Sequence, residues 1–269
     1  MLLLSAGSLF SANVSNILDL WNIRTDLGGT YTLTAGINME RTNPINISEY
    51  VNTAGSSVGD IVKHEDNSVW FAYYCTTAQA ENTAFDTSNW TKMWEVDKGW
   101  DPIGDGSNPF HGNFDGDGNI ISNLYIDRGA SASADNTFPS NGENFVGLFG
   151  YVTNGSSISN ASNNSDIYIQ NVGLTDVNIT GKRGTGALIG KVDLPNRNNG
   201  KLVITEECYV SSGTVTGFGP TGGLVGANNS QRKQVVPIIR FCYATYVPDI
   251  HNDEIYPNLK YFNNIKEIA

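Results

Sequence analysis

Apolar and polar residues alternate in short runs along most of the chain, and Gly or Asn closes nearly every run. Val172-Gly173-Leu174-Thr175-Asp176-Val177-Asn178-Ile179-Thr180-Gly181 is typical. Alternation with a period of two places every second side chain on one face, as a half-buried strand requires. The same pattern predicts strands at Thr30-Tyr31-Thr32-Leu33-Thr34, continued by Ile37-Asn38-Met39. It also predicts a strand, a Gly-rich tight turn and a strand over 110–121, then Asn123-Leu124-Tyr125-Ile126. Further runs go from Ile167 to Gly181 and from Val203 to Gly217. Helical spacing occurs in one place, residues 13–25, where Val14, Ile17, Leu18, Leu20 and Trp21 make an apolar stripe that Ser15 could cap. A short amphipathic helix there would cover the end of a stack of strands, which otherwise exposes unpaired edges.

A four-residue phrase recurs within this pattern: Gly147-Leu148-Phe149-Gly150, Ala187-Leu188-Ile189-Gly190 and Gly223-Leu224-Val225-Gly226, at spacings of 40 and 36 residues. A period of this size marks a repeat architecture, in which no repeat can bury its apolar face alone but stacked repeats build a continuous core. The Leu and the apolar residue after it are expected to fill the interior, with glycines where the chain turns a corner or backbones approach closely. The fold class expected is all-β, a parallel β-helix or solenoid. A Greek-key β-sandwich remains the alternative, because alternation and turns alone do not separate the two.

Residues 50–96 break the pattern. They hold Trp70, Trp90 and Trp94, three of the five tryptophans, with Tyr50, Phe71, Tyr73 and Tyr74. Gly59–His64 reads as a strand, Glu65–Ser68 as a turn and Val69–Tyr73 as the hairpin partner, followed by a polar loop and then Ser88–Met93. The division expected is a cap and first strands over 1–49, an inserted mini-domain over 50–96, repeats over 97–246 and an irregular extension over 247–269. Polar loops are expected near 128–143 and 154–166.

Composition narrows the functions. The net charge is -11 with no Lys/Arg cluster, which argues against binding a nucleic-acid backbone. No apolar run approaches a membrane span, so no membrane insertion is expected. Met1-Leu2-Leu3-Leu4-Ser5-Ala6-Gly7 is apolar but short and without a basic residue, a poor export signal. Cys75, Cys208 and Cys242 are an odd number. Cys208 and Cys242, each in an Ile-x-x-x-Cys-Tyr context, read as one position in successive repeats, either as buried thiols or as a disulfide between neighbouring repeats in an oxidising compartment.

Several motifs have chemical readings. Asp115-Gly116-Asp117-Gly118-Asn119 alternates oxygen ligands as a calcium loop would, but lacks the downstream bidentate Glu, and Asp-Gly is a favoured hairpin turn. The turn is the reading taken, with no metal or cofactor. Glu206 and Glu207 would point to opposite faces of a strand and so would not act as a carboxylate pair. His64, His111 and His251 are scattered, and Lys182-Arg183 reads as a solvated turn. Trp70, Tyr73, Trp90 and Trp94 are the candidate ligand-binding residues, because aromatic faces stack on sugar rings. The competing reading makes them the core of the mini-domain.

Trp100-x-Pro102-Ile103-Gly104, Pro109-Phe110-x-Gly112-x-Phe114-Asp115-Gly116-x-Gly118-x-x-Ile121-x-Asn123-Leu124 and Gly-Leu-x-Gly together resemble the GLUG-motif repeats of bacterial surface and secreted proteins. The resemblance covers about 14–45 and 97–245; Ala187 departs from it, and the last repeat lacks its Gly-Leu-x-Gly. It implies a right-handed β-helix-like scaffold, surface display or adhesion, and no catalytic residues. The insert, with Val58-Gly59-Asp60-Ile61-Val62-Lys63-His64, Val69-Trp70-Phe71-Ala72 and Trp90, is similar to small chitin-binding-type modules, also common in phage tail proteins. Together these imply a non-enzymatic phage tail fibre or other virion component that recognises a host surface glycan or protein and contacts other virion or surface proteins. A homotrimer would suit a fibre. The alternatives are a bacterial cell-surface adhesin and a polysaccharide-cleaving tailspike, for which Asp176, Asp193, Glu206 and Glu207 are the available carboxylates.

Overall fold

The computed structural model describes residues 11–129, 145–154, 166–194, 203–230, 238–244 and 249–251. The expected loops at 128–143 and 154–166 and the tail from 247 lie almost wholly outside these residues. The described residues are all-β apart from one α-helix and short 3₁₀ turns. No helix among the described residues is long and apolar enough to cross a membrane.

The largest sheet has six strands in the order Ala12–Val14, Thr30–Leu33, Asn113–Asp115, Ile167–Gln170, Val203–Glu206 and Ile238–Arg240, all parallel. A second sheet joins Ile37–Asn38, Ile120–Ser122, Gly173–Thr175, Tyr209–Val210 and Tyr243–Ala244. A third joins Tyr125–Asp127, Val177–Gly181, Gly213–Gly217 and Asp249–His251. The Gly-Leu-x-Gly phrases open a fourth, Phe149–Thr153, Ile189–Leu194 and Val225–Ser230. A Greek-key sandwich is made of antiparallel neighbours. These sheets pair in parallel, each strand beside its equivalent in the next repeat.

The register accounts for the period. Phe149, Ile189 and Val225 are aligned, as the phrase spacing predicts. Tyr31, Phe114, Ile169, Thr205 and Ile239 form one aligned row. Its first four members are buried, and Ile239 packs against the core. Ile37, Ile121, Leu174 and Val210 form another buried row, and Ile126, Ile179 and Val215 a third. Each fully buried aliphatic side chain contributes about 1.5–3 kcal/mol relative to exposure.

Glycine makes some corners, with Gly118, Gly184 and Gly213 at φ of 76°, 56° and 116°, but not all of them. Asn171, Glu207 and Phe241 occupy the same corner of three successive repeats with φ of 55°, 53° and 52°. Asn123 and Asp176 hold a second corner at 59° and 54°. Asn and Asp tolerate this left-handed region, whereas Glu and Phe adopt it at a cost. The Asn171 amide donates to the Glu206 carbonyl and the Glu207 amide to the Arg240 carbonyl, so hydrogen bonds to the next repeat hold the first two of these corners. The Asp115–Asn119 segment is likewise a corner and not a hairpin, because Asn113–Asp115 and Ile120–Ser122 belong to different sheets.

The helix spans Ile17–Asn22, shorter than the apolar stripe suggested, and Asn16 caps it in place of Ser15. Asn16 Oδ1 accepts from the amides of Leu18 and Asp19, and Asp19 accepts in return from the Ser15 amide. Residues 12–14 are strand because Val14 pairs with Leu33. The insert is an antiparallel sheet of Ile61–Asp66, Val69–Cys75 and Trp90–Glu95. Its hairpin turns on Asn67-Ser68 alone, both at positive φ, as a two-residue primed turn demands. Its Ala72, Met93 and Trp94 sit in the same buried cluster as Trp100 and Leu20 of the stack.

Candidate functional site

The four aromatics singled out from the sequence separate. Trp94 is 0% exposed and packs against Trp21 and Trp100, with ring centroids 6.0 and 5.7 Å away. Trp90 and Tyr73 are buried in the insert's own cluster with Cys75, against Tyr50 and Phe85. Trp90 Nε1 donates to Gln79 Oε1 at 2.8 Å, so even its polar edge is used internally. The sugar-stacking role expected of Tyr73, Trp90 and Trp94 is therefore corrected: their faces hold the insert together and fasten it to the stack. A three-stranded sheet of this size has little else to make a core from. Trp70 differs, being half-buried with Lys63 Nζ 5.6 Å from its ring centroid.

Asp115 of the calcium-like loop and all but Glu207 of the carboxylates considered for catalysis are engaged in structure. Asp115 accepts from Gln170 Nε2 at 2.7 Å, Asn171 Nδ2 at 3.0 Å and the Asp117 amide at 2.8 Å. Burial works to raise its carboxyl, but those hydrogen bonds outweigh it and hold the group below the ordinary carboxylate range. Its contribution to stability is thus complete above about pH 4, the unfolded value, and is lost as pH falls through the lower folded value. Asp115→Asn is expected to cost about 1–2 kcal/mol at neutral pH and to flatten the acid limb of a stability–pH curve measured by urea unfolding. An unchanged acid limb would refute this. Glu206 is paired with Arg240, and Asp193 with Lys191 at 3.3 Å and the Tyr151 hydroxyl at 2.7 Å. Asp176 accepts from Ser212 Oγ at 2.8 Å. Glu207 lies past the strand end at the corner, off the face that Glu206 occupies.

His64 stacks on Phe85 at 3.9 Å and His111 faces the Pro109 carbonyl at 3.0 Å. No group of three potential metal ligands is gathered among the described residues. All three cysteines are buried and unbonded, with Cys242 Sγ 3.4 Å from the Cys208 amide. Beside them Tyr209 and Tyr243 stack with centroids 5.3 Å apart and planes 9° from parallel. Gly173, the preceding member of that row, leaves the space into which the Tyr209 ring extends.

A concavity of about 630 Å³ lies where the insert meets the stack. Leu27, Phe71 and Pro102 give it apolar surface, while Asp101, Asp105 and Asn108 line the polar side. Arg24 and Arg128 complete it from below. The Arg24 guanidinium is held between the rings of Trp21 and Trp100, its Cζ 3.9 and 4.4 Å from their centroids. Its Nη1 donates to the Trp21 carbonyl at 2.9 Å and Nη2 to the Asp101 carbonyl. Burial depresses Arg24 to about 9, with nearby Asp101 opposing the shift and Arg128 adding to it. Arg128, with only 4% of its side chain exposed, pairs with Asp101 Oδ1 at 2.5 Å and donates to the Lys98 and Trp100 carbonyls. Sequence reasoning passed over both arginines, since neither lies in a basic cluster. The signal was geometric: two cations brought together from positions 24 and 128.

No family model matches the chain. No solved structure matches it either. A stretch of 137 residues, 49% of the chain, is 36% identical to Halomucin of Haloquadratum walsbyi, of which it makes up 1%. The chain thus spans about a hundredth of the length of the curated relative that it matches.

Proposed function

We propose that the chain is a non-enzymatic recognition module on the surface of a virion or a cell, built as a right-handed parallel β-solenoid of GLUG type that carries an inserted sheet. Its ligand is a host or neighbouring-cell surface glycan or protein. The observation that carries this reading is the register of the chain's exits. Phe149–Thr153, Ile189–Leu194 and Val225–Ser230 run side by side, and so do the strands that follow each of them. The described strands on either side of 155–165, 195–202 and 231–237 therefore end and resume at equivalent points of neighbouring repeats. A scaffold can vary such polar segments without touching its core, as recognition requires. The right hand is that of parallel crossovers in general. A match to 1% of Halomucin suits a module carried inside much longer chains.

The test is binding of the labelled chain to a panel of bacterial surfaces, beside a version with 155–165 and 195–202 replaced by Gly-Ser linkers. The expected result is saturable binding that the replacement abolishes while the thermal midpoint stays within a few degrees. Binding to no surface would overturn the reading. Release of reducing sugar ends would assign the chain to polysaccharide cleavage instead.

A further inference from the structure

We infer that the concavity between the insert and the stack is a subsite for a carboxylated sugar residue, of the uronic-acid class, with Arg24 receiving the carboxylate. The inference rests on the recognition reading above and names the ligand class that one part of the surface would take.

The volume of about 630 Å³ lies within the range of small-ligand sites, of order 300–1,000 Å³, and exceeds what one monosaccharide fills. The charge arrangement selects the ligand. Arg24 lines the concavity, yet the carbonyls of Trp21 and Asp101 engage only two of the five N–H groups that a guanidinium carries. It forms no ion pair among the described residues, and the Trp21 and Trp100 rings fix its plane. A cation that is half-buried, fixed and without an ion-pair partner gains from an incoming carboxylate, because a guanidinium matches the two carboxylate oxygens in geometry. The depressed ionisation of Arg24 agrees with such a deficit.

The remaining lining argues for a sugar over an acidic peptide. Asp101 is half-exposed, and Asp105 and Glu95 also border the space. Asp101, Asp105 and Glu95 balance Arg24, Arg128 and Lys98 in the lining, so a polyacidic segment gains no net attraction, yet the carboxylates accept hydrogen bonds from the hydroxyls of a ring bearing a single charge. Leu27, Phe71 and Pro102 supply the apolar contact that the C–H face of a pyranose needs. Asp105 Oδ1 already accepts from the amides of Ser107 and Asn108, both at 2.7 Å, so the loop that presents it is preorganised.

The experiment is calorimetric titration of the whole chain with glucuronate, glucose and acetate, repeated on Asp101→Asn and Asp105→Asn. Asp105→Asn keeps an oxygen to cap its turn, so it tests the idea even if the loss of the Arg128 pair unfolds Asp101→Asn. The expected result is that glucuronate binds, glucose and acetate bind at least tenfold more weakly, and either substitution tightens glucuronate several-fold by removing a like charge. Added sodium chloride should weaken binding of glucuronate but leave that of glucose unchanged. Four outcomes overturn the inference: no glucuronate binding at millimolar concentration, equal binding of glucose, equal binding of acetate, or weaker glucuronate binding by folded Asp105→Asn. Surface binding that persists without glucuronate binding would sink the subsite alone and leave the recognition reading standing.

Discussion

Gly190→Ala is expected to lower the unfolding free energy by about 3 kcal/mol, the upper end of what overpacking a tight site costs. A β-carbon at residue 190 would lie 2.6 Å from the Phe145 carbonyl carbon and 2.7 Å from the Gly150 carbonyl oxygen, and closer still to the Val146 amide. All three are backbone atoms of the neighbouring repeat, so no side chain can swing aside. Gly150 is in the same position one repeat earlier, where a β-carbon would lie 2.5 Å from the Gly104 carbonyl oxygen. Gly226 would meet the Thr185 amide. The closing glycine of the phrase is thus fixed by contact between repeats. Ala187 shows that the opening position can carry a methyl group, since that residue is fully buried as it stands. Urea unfolding followed by far-UV circular dichroism gives the measurement. A loss below 1 kcal/mol would mean that the repeats are less tightly apposed than the structure has them.

Trp94→Ala should cost about 4 kcal/mol, from lost burial plus the cavity left behind. The more telling expectation concerns cooperativity. Trp94 belongs to the insert by sequence, but its ring packs on Trp21 and Trp100, which belong to the stack. Ala72 and Met93 join it there. The wild-type chain and the variant should each unfold in one transition, with tryptophan fluorescence and circular dichroism coincident. If the wild-type chain already loses the insert in a separate early step, or the variant melts where the wild type does, the shared core is not what holds the two together.

The separation between repeats shows what an insertion does to a stack. Tyr31 and Phe114 are aligned neighbours 83 residues apart in the chain, whereas Ile169 and Thr205 are aligned 36 apart. Removing the 47 residues of 50–96 brings the first figure to 36. The insert thus leaves the sheet and returns without disturbing the register, because loop closure costs grow only slowly with length.

The sequence by itself determined the all-β character, the period and the residues that face inward. Each of these follows from local pattern: alternation with period two, Gly and Asn at run ends, and a phrase recurring at nearly constant spacing. It also placed Cys208 and Cys242 as equivalent residues, since their contexts are alike. Three things were decided only in the tertiary structure. Burial of Tyr73, Trp90 and Trp94 depends on which surfaces the insert meets, and a sugar-stacking aromatic and a core aromatic look identical in one dimension. The corner residues Glu207 and Phe241 oppose their own backbone preference, and the Glu207 amide is held by a hydrogen bond to the Arg240 carbonyl of the next repeat that no local propensity encodes. The concavity around Arg24 unites residues from positions 24, 71, 101 and 128, distant in the chain and adjacent only because the insert packs onto the stack.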